Sequence, residues 1–328
     1  MTNPQVSIII VNWNGKTFLQ DCLGALREQT YRAFEVIFVD NASKDGSVEY
    51  VSKCFPEVKI IALQNNLGFT GGNNAGLKIT KGHYICLLNS DTRACPAWLE
   101  NLVRAMDKNP QAGICASKLL IYGTTLINSC GDGLTTAGMG YQIGQGEPIE
   151  KYSRREYIFG GYGAAVLYKK KMLDEIGFFD NDFFLIYEED DLSFRAQLAG
   201  WKCLYIPDAI VYHKVSGSIG KRSDLAVYYM ARNIELLWIK NMPLYFMIRY
   251  MHHKFIQEIA EFCFFSSVGR FKAYGKGKID AIRLIPKMLN KRRIIQSKRK
   301  VSYGYLRQML SSAWVVMFYT IKRLISYR

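Results

Sequence analysis

The chain has 328 residues, 49% of them hydrophobic, and a formal net charge of +15 at pH 7. This composition supports a sizeable core and excludes an intrinsically disordered protein. The charge is uneven: from Lys221 onward there are 22 Lys and Arg against 5 Asp and Glu, so that region carries +17 and the preceding 220 residues carry −2.

In chain order, Val6 to Val11 is a β-branched run of the kind buried on both faces of a sheet, followed by Leu19, Cys22, Leu23 and Leu26 at helical spacing. Phe34 to Val39 repeats the strand pattern, Ser43 is positioned to cap a short helix carrying Val48 and Val51, and Lys59 to Leu63 predicts a third strand. Gly71 to Thr80 reads as a helix and Tyr84 to Leu88 as a fourth strand, and Pro96 suits the first turn of a helix through Trp98 to Met106. Alternating strands and helices predict an α/β domain with a doubly wound, mainly parallel sheet. The eight cysteines contain no C-x-x-C pair, so they read as small buried apolar residues in a reducing compartment and argue against a zinc site. The polar start leads straight into a strand without a signal-peptide pattern, which sets the expectation of a cytoplasmic front domain.

Ligands of such sheets bind at the carboxyl ends of the strands. Here the four ends read Asn12-Trp13-Asn14-Gly15, Asp40-Asn41-Ala42-Ser43, Asn65-Asn66-Leu67-Gly68 and Asn89-Ser90-Asp91-Thr92. Any one of these is an ordinary βα turn, but four polar ends in succession, two with an acid, point to a polar ligand. The glycine-rich stretch Gly68 to Gly76 is neither a dinucleotide fingerprint nor a P-loop, yet a helix start of this kind can approach a pyrophosphate through backbone N–H groups. Later in the chain, Glu188-Glu189-Asp190-Asp191 opens a helix, where the positive end of the dipole favours ionised carboxylates, and Asp191 and Arg195 at i and i+4 can form an ion pair.

The segments VSIIIVNWNG, EVIFVDNASKDGS, NNLGFTGGNNAG, LLNSDT, FGGYGAAVLYKK and GFFDNDFFLIYEEDDLSFRAQLAGW, followed by Tyr212-His213, resemble family 2 of the glycosyltransferases, in its bacterial rhamnosyltransferase-like branch. The resemblance covers residues 5 to 235 and implies a GT-A type fold. It also implies a nucleoside-diphosphate sugar donor such as dTDP-rhamnose or a UDP-sugar, a divalent cation (Mg²⁺ or Mn²⁺), and inversion at the anomeric carbon. By that resemblance Asp40 holds the nucleotide base with Asn12 and Asn14 beside it and Asn89 opens the metal motif; the polar strand ends and glycine-rich stretches add Asn41, Asn66, Gly68, Gly72, Asn73 and Gly161 as donor-contact candidates, the last in a stretch that reads equally as a strand bulge. Asp91 is the one anionic residue of the metal motif, whose first acid is here Asn89, and His213 completes the metal site. The catalytic base lies among Glu188, Glu189 and Asp191; family spacing favours Glu189, which is one methylene longer than the usual aspartate. A carboxylate is needed there to take the proton of the incoming hydroxyl.

Residues 1–235 are expected to form the catalytic domain and residues 236–328 a basic amphipathic helical region. Leu236 to Phe246 and Leu310 to Ile321 are apolar and aromatic but shorter than the ~20 residues of a spanning helix, and suit helices lying in a membrane interface. Between them, Lys287 to Lys300 has seven basic residues and no acid, matching anionic lipid headgroups. No nucleic-acid-binding motif is present, so the expected partners are a nucleotide-sugar donor, a lipid-linked saccharide acceptor and the inner face of the cell membrane. Two alternatives stay open at this level: a sugar-phosphate nucleotidyltransferase, and an inactive scaffold of the same fold.

Overall fold

The computed structural model describes residues 4–215, 223–312 and Trp314. The chain forms two compact units, Met1–Asp132 with Gln142–Ala196 and Trp201–Ser218, and Gly133–Tyr141 with Gln197–Gly200 and Ile219–Arg328.

The first unit begins as the hydrophobic pattern dictates, with β1 (Val6–Asn12), α1 (Lys16–Arg27), β2 (Phe34–Asp40), α2 (Ser47–Cys54), β3 (Lys59–Ala62), α3 (Gly68–Leu77) and β4 (Tyr84–Leu88). After it come β5 (Thr92–Ala94), α4 (Trp98–Lys108), β6 (Ala112–Ile121), β7 (Ile127–Ser129), β8 (Asp132–Thr135), β9 (Gly140–Gln142), β10 (Glu156–Ile158) and β11 (Ala165–Lys169). α5 (Lys170–Ile176), α6 (Glu188–Leu198) and β12 (Lys202–His213) follow. The main sheet has the order β10-β12-β6-β11-β4-β1-β2-β3, with β5 on β12 and β7 on β6. It is parallel from β4 to β3, as expected of a doubly wound half. Beyond β4 it becomes mixed: β11 runs antiparallel between β4 and β6, whereas β12 is parallel to β6. Apolar side chains cover both faces, Ile8, Ile10 and Phe38 on one and Ile9, Ile37 and Val39 on the other.

Two helix starts differ from the sequence expectation. Gly46, in the left-handed conformation at φ 77°, precedes α2 where Ser43 was expected to cap it. α3 starts at Gly68, three residues early, because its glycines pack on the sheet. A Cβ on Gly72 would lie 2.7 Å from Val11, and one on Gly76 would lie 2.7 Å from Ile9 and 3.1 Å from Val39. Gly76→Ala is therefore expected to cost about 1–3 kcal/mol through overpacking. Urea unfolding with an unchanged slope and a lower midpoint would register it.

The second unit holds α7 (Asp224–Asn241), α8 (Leu244–Arg249), α9 (Met251–Ser267), α10 (Phe271–Ser297), α11 (Tyr303–Met309) and β13 (Leu310–Ser311). β13, β8 and β9 make a three-stranded sheet. The helices share a thin apolar core, Val227, Ala231, Phe265 and Tyr274. α7 and α10 cross closely because Gly277 has no side chain to meet the Tyr228 carbonyl. The rest of the adhesion is ionic: Lys254 Nζ lies 2.8 Å from Glu235 and 2.6 Å from Glu258, and Lys278 Nζ lies 2.5 Å from each of the same two carboxylates. The expected boundary at residue 236 falls inside α7. Leu236, Leu237 and Trp238 are buried, so the α7 part of Leu236 to Phe246 packs inward and does not lie in a membrane interface; after the break at Pro243, Leu244 and Tyr245 are exposed on α8. Of Leu310 to Ile321, only residues 310–312 and Trp314 are described, and Leu310 and Ser311 pair with β8 as a strand; the rest lies outside the described residues. Among the described residues, no helix is long and apolar enough to cross a membrane.

Candidate active site

The carboxyl ends of β1 and β2 are in register, with Asn12 opposite Asp40. Asn12 Nδ2 donates to Asp40 Oδ1 at 3.3 Å, Ser43 Oγ at 3.2 Å and Ser47 Oγ at 3.0 Å, and the Ser43 N–H donates to Asp40 Oδ2 at 2.8 Å. Asp40 is buried and organises this loop. Asn14, at φ 52°, receives the Lys44 N–H on its side-chain oxygen. Asn41 ties the next loop: its amide donates to Asn66 Oδ1 and the Gly68 carbonyl, and its oxygen accepts the Leu67 N–H. Gly15 joins the loops, since a Cβ there would meet both Asn12 Oδ1 and Ser90 Oγ. Asn12, Asn14, Asp40, Asn41, Asn66 and Gly68 thus form one continuous polar rim. Gly72 faces Val11 of the sheet and Asn73 donates to the Phe69 carbonyl of its own helix, so both turn away from the rim, and Gly161 packs toward Val166 of β11 and Ile114 of β6. A cavity lined by His83, Tyr84 and Lys169 to Lys171 is at the amino end of β4, away from this rim.

At the edge of the rim, Asn89 is anchored by its N–H to the Ala164 carbonyl, and its own carbonyl accepts Thr92 Oγ1. Asp91 Oδ1 lies 3.2 Å from His213 Nε2. β12 delivers the histidine, its register pairing His213 with Thr92. Asn128, which the sequence reading missed, lies with Oδ1 2.8 Å from His213 Nδ1. Asn128 orients the ring from the Nδ1 side, which points Nε2 at Asp91. A carboxylate and an imidazole side by side are donors of the type a divalent metal takes, so Asp91 and His213 could hold one. No group of three or more His, Cys, Asp or Glu suited to a metal occurs among the described residues. Asn128→Leu should weaken Mn²⁺ affinity about 10–100-fold in titration calorimetry with nucleoside diphosphate present, because the ring loses its orienting partner.

On the far side of Tyr162 lies the acidic helix start. Glu188, Asp190 and Asp191 are buried, and Glu189 alone of the four is partly exposed. Asp191 Oδ2 accepts Arg195 Nε at 2.9 Å, and the same guanidinium donates to the carbonyls of Ile176, Gly177 and Phe178. Asp191 is thus a buried structural ion pair. Asp132, which the sequence reading also missed, joins Glu188 and Asp190 in being pushed well above the ordinary carboxylate range, first by burial and then by mutual repulsion. Glu189 is raised by burial too, but hydrogen bonds from its own N–H, from Glu188 and from the Gly163 N–H oppose the rise. Glu188 accordingly keeps its proton and gives it to Glu189 as a hydrogen bond. Gly163, rather than Gly161, is the glycine of its motif that faces the acid: a Cβ there would lie 3.1 Å from Glu189 Oε1.

A carboxyl whose folded pKa is raised stabilises the fold fully only below its unfolded value near 4, and that contribution is lost as pH rises through the folded pKa. Asp132→Asn removes the titration while keeping the shape. The variant should melt above the parent at pH 8, by about 2–4 °C for each kcal/mol relieved, and the difference should shrink toward pH 5. Thermal unfolding across that range tests it.

The family model for Glycosyl transferase family 2 matches residues 7–177, more than half of the chain. The chain belongs to glycosyl transferase family 2. Among relatives of this family 2 member, an uncharacterized glycosyltransferase of Haemophilus influenzae is 31% identical over 121 residues, spanning 36% of this chain and 38% of that protein. The N-acetylglucosaminyl-diphospho-decaprenol L-rhamnosyltransferase of Mycobacterium tuberculosis is 24% identical over 70% of this chain and 83% of its own length. S. aureus TarS residues 1–349 with UDP superposes at a TM-score of 0.55 and 17% identity, covering 89% of this chain and 90% of that one. GalNAc-T7 with UDP, GalNAc and Mn²⁺ superposes at 0.61 and 16% identity, covering 87% and 58%. The fold is thus GT-A-like, with a mixed sheet and a helical extension. Family membership leaves the nucleotidyltransferase reading without support.

Proposed function

We propose that the chain transfers a sugar, with inversion, from a nucleoside-diphosphate donor to a hydroxyl of a lipid-linked saccharide in bacterial surface polysaccharide synthesis, working at the inner face of the membrane. The observation that carries this reading is the position of Tyr162. Its hydroxyl is raised well above the usual phenol range by burial and then by the fields of Glu189, Asp132, Asp91 and Glu188, and its ring lies 6.2 Å from that of His213. One residue therefore feels both the Asp91–His213 pair and the acidic helix, so a leaving group and an attacking hydroxyl have charged residues on either side.

The polar rim from Asn12 to Gly68 faces the nucleotide. Asp91 and His213 would hold a divalent cation, which when bound offsets the negative charge of the departing diphosphate. Glu189 is the base: hydrogen bonds from Glu188 and the Gly163 N–H support its carboxylate against the effect of burial, and it takes the proton of the acceptor hydroxyl as that oxygen attacks the anomeric carbon. Asp191 positions the helix through Arg195. The saccharide on a diphospho-decaprenol carrier in the mycobacterial relative's name supports a lipid-linked acceptor.

Glu189→Gln should lower kcat by about 10²- to 10⁴-fold with nucleotide affinity nearly unchanged. Asp191→Asn should instead destabilise the protein, by about 3–5 kcal/mol if Arg195 is left unpaired. Nucleoside diphosphate release from a panel of UDP-, dTDP- and GDP-sugars, measured beside thermal unfolding, separates the two. If Asp191→Asn is a stable protein with lost turnover and Glu189→Gln stays active, the assignment of the base is wrong. Because Glu189 is raised, the acid limb of kcat against pH should lie above the range of a free glutamate. Turnover should also fail in Asp91→Asn and in chelator; normal rates in chelator would remove the cation from the reading.

A further inference from the structure

Helix α9 is built inside out. Lys254, Glu258, Glu261 and Phe265, spaced by four, three and four residues, form its inner face. Lys254 and Glu258 are bound there into the ionic network with Glu235 and Lys278, and Glu261 is buried beside them. Met251, Phe255, Ile259 and Phe262, at a matching spacing on the adjoining side about a quarter-turn away, are 62%, 65%, 50% and 55% exposed. Ile248, at 67%, continues the stripe onto α8. A helix stable in water places its polar stripe outward, because burying ions and exposing large apolar side chains both cost free energy. Here both occur on one helix.

Charge identifies what covers this face. Glu258, Glu261 and Asp280 are the carboxylates of α8, α9 and α10, and none is exposed. Each also has a basic neighbour, Lys254, Lys278 or Arg283. The exposed charges on the three helices are basic: Arg249 stands at the amino end of the stripe, Lys272 just beyond its carboxyl end, and Lys276, Arg283, Lys287 and Arg293 along α10. A second copy would bring this basic rim against itself, whereas acyl chains suit the stripe and anionic headgroups suit the rim.

We infer that α8 and α9 are a docking face for an anionic lipid bilayer, with the stripe from Ile248 to Phe262 in the acyl boundary and Arg249 and Lys272 at headgroup level. This rests on the lipid-linked acceptor reading above and places the docking face on α8 and α9 rather than on the buried α7 part of Leu236–Phe246.

The full chain is sedimented with vesicles of equal phosphatidylglycerol and phosphatidylcholine, and with phosphatidylcholine alone. Binding to the anionic vesicles should weaken as salt rises and the Debye length falls from about 10 Å to 3 Å, while the apolar part survives. The combined variant Ile248→Ser, Phe255→Ser, Phe262→Ser should bind at least about tenfold more weakly, since each substitution removes apolar area from the membrane-facing side. Its melting temperature should be unchanged. Should that variant misfold, the parent supplies a second readout: Cys263 is exposed on α9, so a polarity-sensitive dye there should shift to the blue on anionic vesicles. Equal sedimentation of a folded variant, a dye that does not respond, or a concentration-dependent dimer in light scattering that the variant dissolves would each overturn the inference. Nucleoside diphosphate release with a water-soluble acceptor is followed in parallel. Loss of vesicle binding with that release intact separates failure of docking from failure of the catalytic reading.

Discussion

The site depends on a close backbone approach between two distant parts of the first unit. Gly68 at φ 71° has no side chain to obstruct the Phe184 carbonyl, and the Thr70 N–H and hydroxyl both donate to that carbonyl, at 3.1 and 3.2 Å. This clamp holds a loop in which Phe184, Ile186 and Tyr187 all have positive φ, a conformation costing roughly 1–3 kcal/mol per residue unless its surroundings enforce it. The Tyr187 carbonyl then accepts the Asp191 N–H, so the strained loop sets where α6 begins and where Glu189 points. The glycine-rich helix α3 and the acidic helix α6 are thereby positioned by one carbonyl.

Helical geometry then divides the work of neighbouring acids. Asp191 faces Arg195 one turn on and becomes a fully neutralised brace between α6 and the Ile176–Phe178 turn. Two residues earlier, Glu189 faces Tyr162 and Gly163 instead. Burial and mutual repulsion push Asp132, Glu188 and Asp190 well up, whereas hydrogen bonds to Glu189 oppose its rise, so the ionised form is better supported there than on its neighbours. The position of the helix dipole adds to that preference without deciding it.

Much of the first unit was legible in the sequence because its signals are local: buried strands read as apolar runs, and polar strand ends fall where a parallel sheet gathers them. The ion pair of Asp191 and Arg195 was legible for the same reason, being four residues apart. Asn128 and Asp132 were not, because their partners His213 and Asp190 lie far along the chain and are brought close only by β6, β7 and β12. The antiparallel entry of β11 between β4 and β6 is likewise a matter of pairing, which periodicity cannot express. In the second unit, composition identified apolar and basic residues but not their direction. Trp238 turned inward while Phe255 and Phe262 turned outward, and only the ion pairs of Lys254 and Lys278 reveal why.

The glycines of α3 carry a further thermodynamic meaning. Four of its ten residues, Gly68, Gly71, Gly72 and Gly76, are glycine, each weakening an isolated helix by about 1 kcal/mol relative to alanine. The segment is thus helical on credit from the sheet: Val11 and Ile9 fit where side chains are missing, and without them the coil would prevail. With so little propensity of its own, the helix depends on the sheet beneath it and on the loop that Thr70 and Asn74 bind, at the Phe184 and Phe179 carbonyls. Loss of either anchor therefore shows as lost amide-exchange protection along α3 rather than as a change in the shape of the sheet.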